Sequence, residues 1–396
     1  MKLFLIKLGK AFVAIKRDGI VVGGKRVLSY LGTFLKTIFT FSSGDVLFIT
    51  GGVGDSANYR AYNVAEELNL HGFKASVMIQ DNPFLPHFAS RFQIFVFHRT
   101  LFTPTVARLV KNIKAQNKEI IFETDDLVFD TQYIHASDFY KNISSLEKKQ
   151  YATGVAAEIL QDAYVKTATT TTSFIAKILE SCGKKVFLVP NKLSLKDMAI
   201  AENILRDPKP QTGSVKIGYF SGTISHNKDF ATVTAALLAI MEKYPQVELF
   251  LAGPLDTQNA LNKFKDRVKQ IPFAPRAKHF KNIAGVDINI APLVIGDPFC
   301  EARSELKFFE AGIVQVPTVA AATQTFKEAM IDGLDGFVAD GTLEWIQKLE
   351  RLITDAKLRA LMGERSRAVA LKNYTTKNSH NEEYYAYLRS KLHPVK

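Results

Sequence analysis

The sequence predicts an α/β protein of two domains, each built from alternating strands and helices and facing the other across a cleft. Three observations predict it. Short apolar runs with the length of buried strands are each followed by a polar or glycine-containing loop and then by a helical pattern. The same order occurs in both halves of the chain. A chain of 396 residues also exceeds what one compact core ordinarily holds.

The first domain is expected over 42–191. Asp45 to Thr50 reads as a buried strand running into Gly51-Gly-Val-Gly-Asp55, and a helix carrying Tyr59, Tyr62, Ala65 and Leu68 follows before His71-Gly72. Strand, glycine loop, helix and the next strand, Lys74 to Ile79, form a mononucleotide-type βαβ unit. The glycines fit neither the Walker pattern nor the dinucleotide fingerprint. Arg60, at the helix start, is either a ligand group or a solvated one. Phe92 to Phe97 and Glu119 to Phe122 are further strands, followed by His98-Arg99 and by Glu123-Thr-Asp-Asp126. Residues just past the carboxyl ends of parallel strands converge, which brings His98, Arg99, Glu123, Asp125 and Asp126 to one edge. Crowded carboxylates need donors such as Arg99 or sugar hydroxyls. Asp125-Asp126 is not a metal motif in itself, and no metal is expected.

A helical stretch over 141–160, a β-rich run from Ala163 to Thr172, a short helix after Ser173 and a strand from Lys185 to Asn191 complete this half. Residues 192–214, with prolines and glycine at 208–213, read as the connection. The second domain, 215–372, repeats the grammar with strands at Val215 to Phe220, Val247 to Ala252 and Asp287 to Leu293. It leads to Ser304-Glu-Leu-Lys-Phe-Phe-Glu-Ala-Gly312, where charged residues interrupt a buried helix pattern. Ser304 is expected to cap this helix, and Gly312 lies near its exit. Lys307 and Glu310, three apart, share a face and can approach one ligand. A last helix is expected over 373–396.

Composition is that of a globular chain, 47% hydrophobic and 23% charged. Two cysteines, Cys182 and Cys300, support neither a disulfide framework nor a cysteine-rich metal site. The early apolar run stops at Lys7 with no cleavage-site pattern, and no stretch of about 18 apolar residues occurs, so a cytoplasmic address is expected. The net charge of +12 is concentrated in residues 1–41, which hold eight basic residues and one acid among leucines, isoleucines and phenylalanines. That mixture suits a basic amphipathic segment at an anionic membrane surface, a helix packed on the first domain, or a partner-binding arm. No nucleic-acid motif accompanies it.

Several ordered motifs resemble one family: Ile217-Gly-Tyr-Phe-Ser-Gly-Thr-Ile-Ser-His-Asn-Lys-Asp-Phe230, Leu251-Ala-Gly-Pro254, Asp287 to Leu293, Ser304 to Gly312, and Val316-Pro-Thr-Val-Ala320 ahead of Asp332 to Phe337. The second half is similar to retaining glycosyltransferases of the GT-B fold, the family 4-like, group 1 type that builds bacterial surface polysaccharides from nucleotide sugars. Ser56 to Arg60, Phe97 to Arg99 and Glu123 to Asp130 extend the resemblance more loosely to the first half. It implies two facing Rossmann-like domains, a nucleoside-diphosphate sugar as donor substrate, retention at the anomeric carbon, and no cofactor or essential metal.

Residue by residue, the resemblance implies that Glu310 matches the later acid of the family's paired-glutamate motif, which holds the nucleotide ribose. The earlier acid would fall at position 302, which is alanine, so Glu301 or Glu305 serves or the role is absent. Gly222 and Thr223 match a tight turn that admits the donor phosphates. Lys228, Arg303 and Lys307 are cations for the leaving diphosphate, and amides from Arg303 through Ser304 and Glu305 to Leu306 bind sugar or phosphate oxygens. His98 matches a histidine that contacts the donor sugar, or is a core histidine. His226 contacts donor phosphate or sugar, or is a solvated loop residue. The expected protein is a peripheral glycosyltransferase on the inner face of the membrane, acting on a glycan or lipid-linked acceptor. A catalytically silent GT-B subunit that binds a glycan or stabilises a partner, and a nucleotide-sugar epimerase of the same fold, are the alternatives.

Overall fold

The computed structural model describes residues 24, 28, 30–32, 34, 35, 42–52, 54–136, 140, 148, 154–207, 213–222, 227–257 and 259–392. Thr223, His226, most of the basic segment 1–41 and most of the helical stretch expected at 141–160 lie outside the described residues.

The chain divides into two compact units. The first comprises residues 1–171, 175–189 and 381–396, and the second 172–174 and 190–380. In the first unit the strands β1 (Val46–Thr50), β2 (Ala75–Ile79), β3 (Ile94–His98), β4 (Glu119–Thr124), β5 (Thr167–Thr170) and β6 (Lys185–Leu188) form one parallel sheet in the order β2-β1-β3-β4-β5-β6. All five residues of β1 and of β3 are buried, which is why both read as continuous apolar runs instead of alternating ones. The helix Glu382–Leu392 belongs to this unit: Tyr384, Tyr385 and Leu388 join Phe48, Val96 and Ile121 in its core. Tyr385 keeps its hydroxyl satisfied there by donating to Glu67 Oε1 at 2.9 Å.

The second unit holds β7 (Val215–Phe220), β8 (Val247–Ala252), β9 (Val268–Ile271), β10 (Ile288–Ala291), β11 (Thr318–Ala321) and β12 (Phe337–Ala339), again all parallel, in the order β12-β11-β10-β7-β8-β9. In each sheet the strand order reverses once, between β1 and β3 in the first unit and between β7 and β10 in the second. The loops leaving the two strands at such a point diverge, and the crevice between them is where open α/β sheets take ligands.

Two local expectations change. Residues 192–214 are more than a connection, because Leu195–Arg206 is a helix. Its start is a capping box in which Ser194 Oγ accepts from Asp197 N at 3.1 Å while Asp197 Oδ2 accepts from Ser194 N at 3.1 Å. Arg60 is neither a ligand group nor solvated. It is fully buried, and its Nε and Nη2 donate to the two oxygens of Glu123 at 2.8 and 3.0 Å, with Nη1 on the Val189 carbonyl at 2.6 Å. Burial pulls the guanidinium toward neutrality, but the Glu123 carboxylate outweighs it and keeps Arg60 charged. Arg60→Met strands the Glu123 charge in the core, and a loss of about 3–5 kcal/mol is expected in denaturant unfolding. A loss below about 1 kcal/mol, the scale of an exposed pair, would count against this account.

Candidate functional site

In the first unit, strand register assembles the polar groups. Thr50 pairs with His98, His98 with Glu123, and Glu123 with Thr169. Residues from four strands therefore stand side by side at one sheet edge. Glu123 is taken inward by Arg60 and by the Thr169 hydroxyl, so it does not join an open cluster. His98 is buried, with Nδ1 3.0 Å from Thr50 Oγ1 and Nε2 3.1 Å from Ser56 Oγ. Ser56 donates to Asp125 Oδ2 at 2.8 Å, and Arg99 donates to Asp125 at 2.7 Å and to Asp126 at 3.3 Å. Burial works to raise the Asp125 carboxyl, but Arg99 and His98 overcome it and hold the group well below the usual carboxylate range. Both ring nitrogens of His98 are thus engaged within the cluster, which presents Ser56, Arg99 and Asp126 outward.

Backbone geometry supports that edge. Arg99 adopts φ 46°, a left-handed conformation uncommon for a residue with a Cβ, and a Cβ on Gly51 would lie 1.8 Å from the Arg99 carbonyl. Gly51 is therefore required by the neighbouring strand end.

In the second unit the site follows β10. Asp297 caps a short helix, Pro298–Glu301, by accepting from Phe299 and Cys300 amides at 2.9 and 3.1 Å, and Pro298 occupies the first turn where its missing N–H costs nothing. A break at 302–304 leads to the helix Leu306–Gly312. Its cap residue is Glu305, which makes no side-chain cap bond. Ser304, expected in that role, sits one position earlier and accepts from Asn191 Nδ2 at 3.0 Å. Gly312 is required for packing, since a Cβ there would lie 2.8 Å from the Ser366 carbonyl of the helix Ala356–Asn373.

The charges in this helix have separate partners. Glu310 is buried, and Arg276 donates to its Oε1 while His279 Nε2 lies 3.2 Å from Oε2. Lys307 places Nζ 5.7 Å from the centre of the Tyr219 ring. Burial, with the Arg303 cation nearby, pulls its pKa down to about 8 against the opposing pull of Glu310 and Asp229. Arg303 has its Nε buried with no hydrogen-bond partner. Arg303, Lys307 and Glu310 are thus brought together.

Glu301 and Glu305 are not part of that group. Glu301 accepts from Gly296 N at 3.0 Å and from Gln324 N at 2.9 Å, tying a loop to the start of the helix Gln324–Ala329. Glu305 is buried beside the Tyr374 hydroxyl, and Leu306 opens the helix half-buried. Gly222 and Lys228 are exposed, Lys228 in the first turn of the helix Asn227–Lys243. The sequence reading missed Arg276 and His279. Their signal was an Arg-x-x-His spacing at the start of the helix Arg276–Ala284, which puts both side chains on one face.

Solved structures resemble most of the chain. Anabaena HepE in complex with UDP shares 14% identity and superposes at a TM-score of 0.57, covering 87% of this chain and 100% of its own. A glycosyltransferase from Rickettsia africae gives 13% and 0.59, over 90% and 100%. Sucrose-phosphate synthase from Thermosynechococcus elongatus gives 14% and 0.54, over 88% and 98%. The fold is GT-B. Within this GT-B chain, residues 215–355 match the family model described as Glycosyl transferases group 1. No curated protein matches the chain.

Arg303 and Lys307 are neighbouring cations, and with the Lys307 pKa drawn down to about 8 their summed charge depends on pH. An arriving oxyanion favours protonated Lys307, so anion binding takes up a proton above pH about 8 and none well below it. Affinity for sulfate, whose own charge is constant in this range, is expected to fall as pH rises from 7 to 9.5. Lys307→Arg, charged throughout, should flatten the dependence in calorimetric titrations. An equal decline in the variant would show that Lys307 is not the titrating group.

Proposed function

We propose that the chain is a glycosyltransferase that moves a sugar from a nucleoside-diphosphate sugar to a glycan or lipid-linked acceptor, with retention, in the synthesis of a cell-surface glycan. The carrying observation is the convergence of Glu310, Lys307 and Arg303 beside the strand-order reversal of the unit that matches Glycosyl transferases group 1. A buried carboxylate is a natural acceptor for the paired hydroxyls of a ribose. Two cations next to it neutralise charge developing on a departing diphosphate, where a site screened from water makes them most effective. Transfer then depends on positioning and electrostatics, with no cofactor and no metal. Structures of HepE hold UDP and UDP-glucose, which makes a uridine diphosphate sugar the first donor to test.

A second reading, a catalytically silent GT-B subunit, draws on Ala302 and on Glu301, whose two oxygens are held by backbone amides. One experiment separates them. Purified protein is incubated with a panel of nucleotide sugars, and slow donor hydrolysis or transfer is expected for at least one. Absence of both binding and slow hydrolysis for every donor removes the enzyme reading and leaves the silent subunit. In the same assay Glu310→Ala should weaken nucleotide binding roughly ten- to a hundredfold, the scale of hydrogen bonds to a charged group, with the fold intact by circular dichroism.

The reading includes peripheral attachment to an anionic membrane through residues 1–41. Described residues there include Leu28, Leu31 and Leu35, helical and 67, 47 and 46% exposed, at a spacing that shares one face. Tyr30 donates to Asp81 Oδ2 at 2.5 Å, a contact with the turn after β2. Among the described residues no helix is long and apolar enough to cross a membrane. Each basic residue near an anionic surface contributes about 1 kcal/mol. Leu31→Glu combined with Leu35→Glu is expected to reduce co-sedimentation with phosphatidylglycerol vesicles severalfold, and unchanged co-sedimentation would exclude this face as the contact.

A further inference from the structure

Glu310 is held by a chain of side chains that reaches well beyond its own helix. Arg276 donates through Nη1 to Glu310 Oε1 and through Nε to Asp197 Oδ1 at 2.8 Å, so one guanidinium bridges two buried carboxylates. His279, one turn further along the same helix, faces the other oxygen of Glu310 at 3.2 Å. Asp197 is fixed in turn, because its second oxygen accepts from the Ser194 amide and hydroxyl at 3.1 and 2.9 Å. The far end of the bridge is therefore anchored to a helix start, and the near end sets the Glu310 carboxylate. Arg276 also lies over the Phe280 ring at 4.6 Å, which restricts the guanidinium further.

From this geometry we propose that Arg276 is a positioning residue for ribose recognition, acting through Glu310, with Asp197 as its anchor. The inference rests on the glycosyltransferase reading, in which Glu310 binds the nucleotide ribose. A carboxylate accepts two adjacent hydroxyls well only when it is ionised and its plane is fixed. The Arg276 guanidinium on one oxygen favours the ionised form, and with His279 facing the other oxygen the plane of the carboxylate is fixed. The bridge therefore matters for ligands that carry both ribose hydroxyls and is indifferent to ligands that lack them.

The test compares UDP with 2′,3′-dideoxy-UDP, by calorimetry on the full chain. In the wild type UDP binds more tightly. In Arg276→Met the affinity for UDP is expected to fall about tenfold, a change of about 1.4 kcal/mol. Affinity for the dideoxy analogue stays within about twofold, so that the preference for the ribonucleotide shrinks. Arg276→Lys, which restores the charge without the fork, recovers part of the preference. Asp197→Asn reduces it in the same direction by a smaller factor. If Arg276→Met weakens both ligands equally, or neither, Arg276 does not act through Glu310 and the inference is overturned. Glu310→Ala is the control for the underlying reading. A variant that still prefers UDP over the dideoxy analogue would place ribose recognition elsewhere and overturn both, whereas loss of preference in Glu310→Ala alone overturns only the role of Arg276.

Discussion

The constraint on which both sites depend is the in-register parallel pairing of the strands. A parallel ladder has no short connection, so each strand is separated from the next by a helix and its loops, and residues at successive carboxyl ends are tens of positions apart in sequence. Register cancels that separation. Thr50, His98, Glu123 and Thr169 are neighbours because β1, β3, β4 and β5 end in line. In the second unit the reversal between β7 and β10 opens the place beside which Arg303, Lys307 and Glu310 are gathered. The chemistry is assembled by backbone hydrogen bonding, and side-chain pairing refines it afterwards.

That distinction explains how much was legible in the sequence. Fully buried strands have a signature that needs no partner to recognise, and most of the strands, the α/β class and the convergence of polar groups at their ends followed from it. β9 did not. Its Val268-Lys-Gln-Ile271 sequence belongs to an edge strand that is nowhere fully buried, and such a strand has no apolar run to read. The helix Leu195–Arg206 was hidden for a different reason. The prolines and glycine after it dominated the reading of the stretch, although Ser194 and Asp197 already had capping-box spacing.

Side-chain partners were the least legible, because a charge in the sequence carries no record of which way it turns. Arg60 and Glu123 are 63 positions apart and neutralise each other in the core. Read alone, one suggested a ligand group and the other a member of an open acidic cluster. The same holds for Gly51. A glycine after a strand suggests room for a ligand, but the atom that approaches is the Arg99 carbonyl of the adjacent strand end. Glu310 is the counterexample, since a carboxylate in a largely apolar helix had to be satisfied by something, and that need was readable even though Arg276 and His279 were not.

Glu301, one of the two candidates for the earlier acid, is already engaged. A carboxylate that accepts from two backbone amides, one in a loop and one opening a helix, supplies acceptors those amides would otherwise lack and fixes both segments relative to each other. Recruiting it to a sugar would forfeit both bonds and release the loop at Gly296 from the start of the helix Gln324–Ala329. Glu305 faces a similar conflict beside Tyr374. Both glutamates already hold local structure, whereas Lys307 is coupled electrostatically to Arg303 and Glu310. The Asp197–Arg276 bridge matters for that reason: under the proposed reading a single carboxylate meets the ribose, and its orientation cannot be left to the ligand.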